Sequence, residues 1–563
     1  MVKKIIQYLN REVGGLHEAA YLLGGFAVAS QLLGIVRDRL LASLFGASTE
    51  LDLYYAAFRI PDFIFVTVAS LVSISVLVPF LSARIASGKE ELRGYISHAF
   101  SFFALIIVFS CGAAFFLAPY ILPHLFPGFA DPEKLTRLVL LTRILLLSPI
   151  FLGISSFFAS ITQLYKRFLI YALTPVLYNA GIIIGILLFG ERLGNIGIVW
   201  GVILGAILHC LIQIPFIFQE GLFPQFRPFF SFSKIKEIIL LSIPRTIALA
   251  IGNLATIVLL GFASQMVEGS VSVFNFSWNL QSVPLTIIGM SYSLAAFPVL
   301  SSLFAQGARD KFITQCVAAA RHIIFWSLPL AALFIVLRAH IVRTILGAST
   351  NFDWNDTRLT AAALALFTVS VCAQSIILLF IRGFYAAGKT KIPLIINVIA
   401  GISIWLIALF ARDLFSSPGV FPLFIEHLLR VQDIVGTEIL VLPLAYSIGS
   451  LLNALMLWIA FEYTFRGFSR PVLGTLYHSV ATSVVVGISA YVGLNIFDHV
   501  FSLNTVLGVF LDGFCAGIVG VVVGVFMLKV LKNAELEEIV ATLKQKIWKA
   551  KIIGPEATEN ISV

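Results

Sequence analysis

Charge is scarce in this chain. Of 563 residues only 12% are Asp, Glu, Lys or Arg, while 59% are hydrophobic. A water-soluble globular domain carries about twice that charged fraction, so this class is excluded. Cysteine is scarce as well. Cys111, Cys210, Cys316, Cys372 and Cys515 each stand alone inside an apolar run, with neither a redox-pair nor a zinc spacing. They read as small buried hydrophobes. The nine histidines contain no His-x-x-x-His pair or other ligand cluster, so no metal or other cofactor is expected. No helix shows a nucleophile–base pair or a phosphate loop, which argues against an enzyme. Residues 1–17 are basic but lack a small-residue cleavage site, so a removed signal peptide is not expected.

What the chain has instead is long apolar runs. Fourteen segments approach or exceed the twenty or so residues that a membrane-spanning helix requires. They cover about 18–46, 52–84, 95–126, 136–165, 168–190, 195–219, 235–265, 270–305, 313–346, 358–387, 391–411, 438–464, 473–497 and 504–528. The expected fold is an all-α polytopic membrane protein. Residues 529–551, rich in Lys with Glu535, Glu537 and Glu538 near the start, read as an amphipathic helix on the membrane surface. With the N-terminus inside, twenty-five Lys and Arg fall on cytoplasmic segments and eight on outer ones. This bias places both termini in the cytoplasm of a cell whose cytoplasmic membrane the chain crosses. The net charge of +9 then belongs to cytoplasmic loops and anionic lipid, not to nucleic acid.

A repeat lies under the hydrophobicity. "VLVPFLSARIASG" (76–88) matches "LAAFPVLSSLFAQG" (294–307) with Pro79 on Pro298, an offset of 219. Pro175 meets Pro393, and Asn179 meets Asn397, each at an offset of 218. An even number of spans separates the copies, so they are parallel repeats of the kind that rock against each other around a central site. The expected organisation is a cytoplasmic arm (1–17), a six-helix lobe (18–226), a second six-helix lobe (227–470), two extra helices (471–528) and a cytoplasmic tail (529–563).

The stretch "SQLLGIVRDRLLASLFGASTELDLYYAAFRIPDF" (30–63) resembles the opening pattern of the MurJ (MviN) lipid II flippases, within the multidrug and oligosaccharidyl-lipid exporter superfamily. Further matches are "VPFLS" (78–82), "PGFA" (127–130), "TPVLYN" (174–179), "GIVWGVILGAILHCLIQIP" (197–215), "IPRT" (243–246) and "RGFYAAGKTKIP" (382–393). The resemblance implies two six-helix lobes around a cationic cavity, a tail groove made by the last two helices, and alternating access driven by membrane potential. The implied cargo is an undecaprenyl-pyrophosphate-linked peptidoglycan precursor, made on the inner leaflet and needed outside for cell-wall biogenesis and cell shape. Membrane lipids and this glycolipid are the expected partners. The sequence leaves oligomeric state and coupling ion open.

Of the family's cavity arginines, one aligns with Arg37; the others fall on Gln31, Val66 and Asn279. Arginine binds phosphate through charge-assisted, often bidentate bonds, so these losses weaken an anion site. Candidate substrate-binding residues are Arg37, Asp38, Arg39, Arg59 and Arg245. An ion inside a span is by default a functional candidate, yet Arg37 and Arg39 could also snorkel to headgroups. Successive helical residues point about 100° apart, so Arg37, Asp38 and Arg39 are expected to find partners on other helices or in water. Asp38 is read as orienting an arginine or capping a helix. Asp52 is an N-cap or a gate contact. Arg59, before Ile60-Pro61, and Arg245, after Pro244, either snorkel or meet the substrate. Arg143 is a structural anchor or a cavity cation. Asn179 and Asn397 are expected to make interhelical hydrogen bonds. Asn253 and Asn397 have no membrane Asp beside them, so no sodium site is expected.

Three functions compete. A lipid II flippase calls for a net-positive cavity with a tail groove. An exporter of another polyprenyl-linked saccharide or amphiphile fits a neutral or acidic one. A non-transporting membrane scaffold needs none.

Overall fold

The computed structural model describes residues 16–71, 77, 81, 88–227, 232–347, 349–417 and 419–549. Residues 1–15 of the arm 1–17, the landmark Pro79, most of "VPFLS" and the end of the tail lie outside these residues.

Every regular element among the described residues is helical. The first half holds α1 (Leu16–Phe45), α2 (Thr49–Ala57), α3 (Arg59–Leu71), α4 (Lys89–Leu125), α5 (Pro132–Leu145), α6 (Leu147–Leu164), α7 (Phe168–Leu193), α8 (Asn195–Leu211), α9 (Ile214–Gln219) and α10 (Phe232–Ser264). The second holds α11 (Ser270–Pro284), α12 (Ser291–Ala305), α13 (Arg309–Val336), α14 (Arg338–Leu346), α15 (Trp354–Thr368), α16 (Val371–Ala386), α17 (Lys391–Ser416), α18 (Val420–Leu429), α19 (Val441–Phe465), α20 (Ser469–Phe497), α21 (Val506–Val530) and α22 (Ala534–Lys549).

Ten spans, some built from two consecutive helices, are long and apolar enough to cross a membrane, and the broken pair α15–α16 makes an eleventh. The expected count of fourteen is therefore not reached among the described residues. The other three expected segments fall on α1, on α2–α3 and on α10. Segment 52–84 runs into undescribed positions, several side chains of 235–265 are not described, and α1 carries three consecutive charged residues. Several spans are interrupted, as their excess length led one to expect: at Phe58, at Leu146, at Ile212–Gln213 and at Val369–Ser370. Local caps explain the starts. Ser48 accepts the Leu51 N–H and opens α2, Asp131 with Pro132 opens α5, and Thr505 opens α21.

The chain forms two compact units. The first contains residues up to 283, 341–367 and 390–453. Its tightest crossing pairs α7 with α8. A Cβ added to Gly181 would stand 2.3 Å from the Gly205 Cα, and one on Gly185 would stand 2.3 Å from the Gly201 Cα. Small residues at four-residue spacing let the two backbones touch, which is how helices gain packing energy in lipid. Elsewhere in this unit Phe274, Trp278, Phe367 and Tyr446 form an edge-to-face and stacked cluster. The stretch 417–437 that follows α17 contains α18 and is tied back by Arg358, which donates to both Asp433 oxygens at 2.6 and 2.8 Å.

The second unit contains 284–340, 368–389 and 454 onward. Its core is aromatic, with Phe380, Phe384, Trp458, Phe461, Phe465 and Phe468 in mutual contact. α20 and α21 pack along each other and α20 packs on α13. An apolar cavity of about 470 Å³ opens here, walled by Trp326, Leu333, Val486 and Val521 and bounded by Leu536 and Ile539 of α22.

The tail expected to be helical forms α22, and Glu535 anchors it. This carboxylate is 2% exposed, accepts from Arg321 Nε at 2.6 Å, and accepts the Thr475 hydroxyl at 2.5 Å. Burial pushes the Glu535 carboxyl up, but the Thr475 and Arg321 hydrogen bonds outweigh it and leave the carboxyl below its ordinary value. A depressed carboxyl stabilises docking above its ordinary titration range, and that contribution is lost as pH falls through the depressed value. Glu535→Ala removes hydrogen bonds worth about 1.5–3 kcal/mol. Tryptic cleavage after Lys529 and Lys532 is expected to accelerate at neutral pH; unchanged cleavage would mean that Glu535 does not hold α22.

Candidate functional site

In the first unit a cavity of about 180 Å³ is lined by Gln31, Arg37, Asp38, Asn179, Asn279 and Ser282, with Ser30 and Gly34 beside them. The α1 contributors, 30, 31, 34, 35, 37 and 38, share the i, i+4, i+7 spacing of one helix face. α1 packs on α7, which brings Asn179 to this face.

Arg37 donates to Asp38 Oδ1 from both Nε (2.9 Å) and Nη2 (2.8 Å), and to Asn179 Oδ1 from Nη1 (3.4 Å). This corrects the expectation that neighbours on a helix do not pair. The guanidinium side chain is long enough to fold back to the adjacent carboxylate, and burial leaves that carboxylate, 7% exposed, in need of a cation. Asn279 Nδ2 donates to the other oxygen, Asp38 Oδ2, at 3.0 Å. Asn179 Nδ2 is shared among the Ser30 hydroxyl (3.1 Å), the Ser30 carbonyl (3.3 Å) and the Pro175 carbonyl (3.2 Å). The arrangement orients one guanidinium between a carboxylate and an amide while leaving N–H donors for an anion.

The electrostatics differ from a cationic cavity. Arg37 and Asp38 cancel, and Gln31, Asn179 and Asn279 are neutral. Two positions where the family resemblance places arginines, Gln31 and Asn279, do line this cavity, here as amides. Val66 sits on α3 and is not among the lining residues.

The other candidates fall elsewhere. Arg39 is exposed, donates to the Thr344 carbonyl at 3.1 Å and lies against Gly347. Arg59 donates to Asn275 Oδ1 and is not a cavity wall. The Arg245 side chain lies outside the described residues. Arg143 donates to the Phe115 carbonyl at 3.0 Å with its guanidinium 4.6 Å from the Phe115 ring centre, the geometry of an anchor. Asp52 does not cap its own helix, because Ser48 does. Its carboxylate, 3% exposed, accepts the N–H groups of Gly269 (2.8 Å) and Ser272 (2.7 Å) and the Ser272 hydroxyl (2.6 Å). It caps the start of α11, where unpaired N–H groups and the helix dipole favour an anion. Asn397 accepts from Asn453 at 3.1 Å, joining α17 to α19. Ser30, Ser272, Ser282 and Asn275 were missed by sequence reading. The helical-face spacing from Arg37 was a signal for Ser30; nothing local pointed to the others.

The family described as "Lipid II flippase MurJ" matches residues 41–511. This chain belongs to the MurJ family. The matched range begins just after Arg37–Arg39 and takes in Asp52, Arg59, Asn179, Asn279 and Asn397. The MurJ flippase of Burkholderia cenocepacia is 23% identical over 492 residues, 85% of this chain and 90% of that protein. The probable MurJ flippase of Thermotoga maritima is 25% identical over 485 residues, 84% and 94% respectively. Among solved structures, a lipid II flippase MurJ in an inward closed conformation superposes with a TM-score of 0.69 at 22% identity, over 90% of this chain and 99% of that one. An inward-facing multidrug resistance MATE transporter of the MOP superfamily gives 0.62 at 14% identity, over 77% and 94%. MurJ membership accounts for the order of the motifs from α1 to α17.

Proposed function

We propose that this protein flips lipid II, an undecaprenyl-pyrophosphate-linked precursor, from the inner to the outer leaflet of the bacterial cytoplasmic membrane by alternating access. The carrying observation is Arg37, a guanidinium on an apolar helix whose partners leave it facing a polar cavity. An ion in a span is costly unless used or paired, and this one is paired on one side only. Family membership supplies the cargo. In this reading residues 18–226 and 227–470 are the moving lobes, 471–528 receive the lipid tail, and both termini are cytoplasmic, as the Lys and Arg bias argues. The pyrophosphate competes with Asp38 for the Arg37 fork.

Complementation of a bacterium depleted of its lipid II flippase tests this. Growth with normal shape, and return of lipid II to the outer leaflet, is the expected result. Expression in the membrane without either overturns the reading.

A second reading is favoured by the neutral cavity: export of another polyprenyl-linked saccharide whose head group carries less charge. Asn279→Arg discriminates between the two. It places a second cation against Asp38 and frees Arg37, so lipid II flipping is expected to rise or hold. A fall of tenfold or more favours the second cargo.

A further inference from the structure

The second unit buries another ionisable pair that the flippase reading does not use. Asp512, in the second turn of α21, is 1% exposed, and its Oδ2 lies 2.7 Å from Nε2 of His340 near the start of α14. The imidazole side chain is 20% exposed. Asp512 Oδ1 and His340 Nδ1 are both buried without a hydrogen-bond partner among the described residues. The ring fits because the next residue on α21 is glycine. A Cβ on Gly513 would stand 2.9 Å from the His340 Cβ and 3.3 Å from its Cγ.

The charges on this pair do not balance without a proton. A neutral imidazole beside an ionised carboxylate leaves a net negative charge in a buried place, which low dielectric penalises. An imidazolium beside the same carboxylate is neutral overall. The nearby carboxylate Asp498, just after α20, pushes the same way. Arg338, on the same helix as His340, gives its Nη1 to the Ile335 carbonyl. No other ion pair to Asp512 is made among the described residues.

We propose that His340 and Asp512 form a proton-binding site that fastens α21 to the start of α14 when protonated and loosens when the proton leaves. The bond is between a donor on one helix and an acceptor on another, so its strength sets the packing of one of the two helices lying beyond the repeat. Packing binds the proton, therefore packing strengthens as pH falls through the site's titration. With the orientation argued above, the pair lies toward the outer face, so external acidity is what it reads.

Hydrogen exchange followed by mass spectrometry on the purified full chain in lipid nanodiscs tests this between pH 8 and pH 5.5. After correction for intrinsic exchange, amide protection in 506–516 is expected to rise with falling pH by up to tenfold per unit, the limit for one linked proton. Asp512→Asn and His340→Gln keep hydrogen-bonding groups and are expected to flatten the profile. A flat wild-type profile overturns the proposal, as does either variant retaining the wild-type slope. Should Asp512→Asn fail to yield folded protein, the wild-type profile and His340→Gln decide alone.

Discussion

Arg37→Ala is expected to abolish rescue of a flippase-depleted bacterium while the protein still reaches the membrane. Two effects add. The substitution removes the one cation that lines the cavity among the described residues, and with it charge-assisted bonds to phosphate worth about 1.5–3 kcal/mol each. It also leaves Asp38 buried with the Asn279 amide as its one partner among the described residues, so an ionised Asp38 turns the cavity from neutral to negative and repels a pyrophosphate. Together these predict a loss of at least about a hundredfold in flipping, since each 1.4 kcal/mol is a factor of ten. Arg37→Lys keeps the charge but loses the planar fork and is expected to retain partial activity. Arg37→Ala with Asp38→Asn separates the two effects. The double variant relieves the stranded carboxylate, yet it restores no cation and stays inactive. Lipid II translocation assayed beside membrane yield checks both; a double variant that flips lipid II at wild-type rate would end the role assigned to Arg37.

Those same residues mark how far the sequence could be read. The membrane-spanning character was legible because lipid demands long apolar helices, and the family was legible because its motifs keep their order. Arg37 stood out because a charge in an apolar helix is expensive wherever it ends up. What stayed hidden was pairing. That Asp38 folds onto Arg37 depends on burial of the carboxylate, which periodicity does not report. Asp52 looked like a cap from its position at the start of an apolar run. It is a cap, but of α11, more than two hundred residues away, and only tertiary structure brings those N–H groups to it. Arg39, one residue past Asp38, turns off the cavity face altogether and ends on a backbone carbonyl of α14. The excess length of several segments called for breaks, but their positions were invisible. Leu146, Ile212 and Val369 are ordinary apolar residues, and hydropathy runs through them without a mark.

Gly201→Leu is the substitution expected to cost the most structure. At the α7–α8 crossing a Cβ on Gly201 would lie 2.5 Å from the Gly185 Cα and 3.1 Å from the Gly181 carbonyl oxygen. Both neighbours are backbone, so no side chain can rotate away and the helices themselves must separate. Overpacking a tight core costs about 1–3 kcal/mol even for small additions, and an isobutyl group wedged between two backbones exceeds that range. Folded protein is expected to disappear, read as loss of the monodisperse peak in detergent. Gly112→Ala, with open space around it, is expected to leave yield unchanged. Gly205→Ala is the informative intermediate. Its Cβ would meet the Tyr178 carbonyl oxygen at 2.4 Å, one residue from Asn179. A displacement of α7 at that point moves the amide that holds Arg37, so flipping is expected to fall about tenfold before folding fails. Should Gly205→Ala lose yield and flipping in equal proportion, the crossing serves stability alone; a loss of flipping at full yield ties it to the cavity.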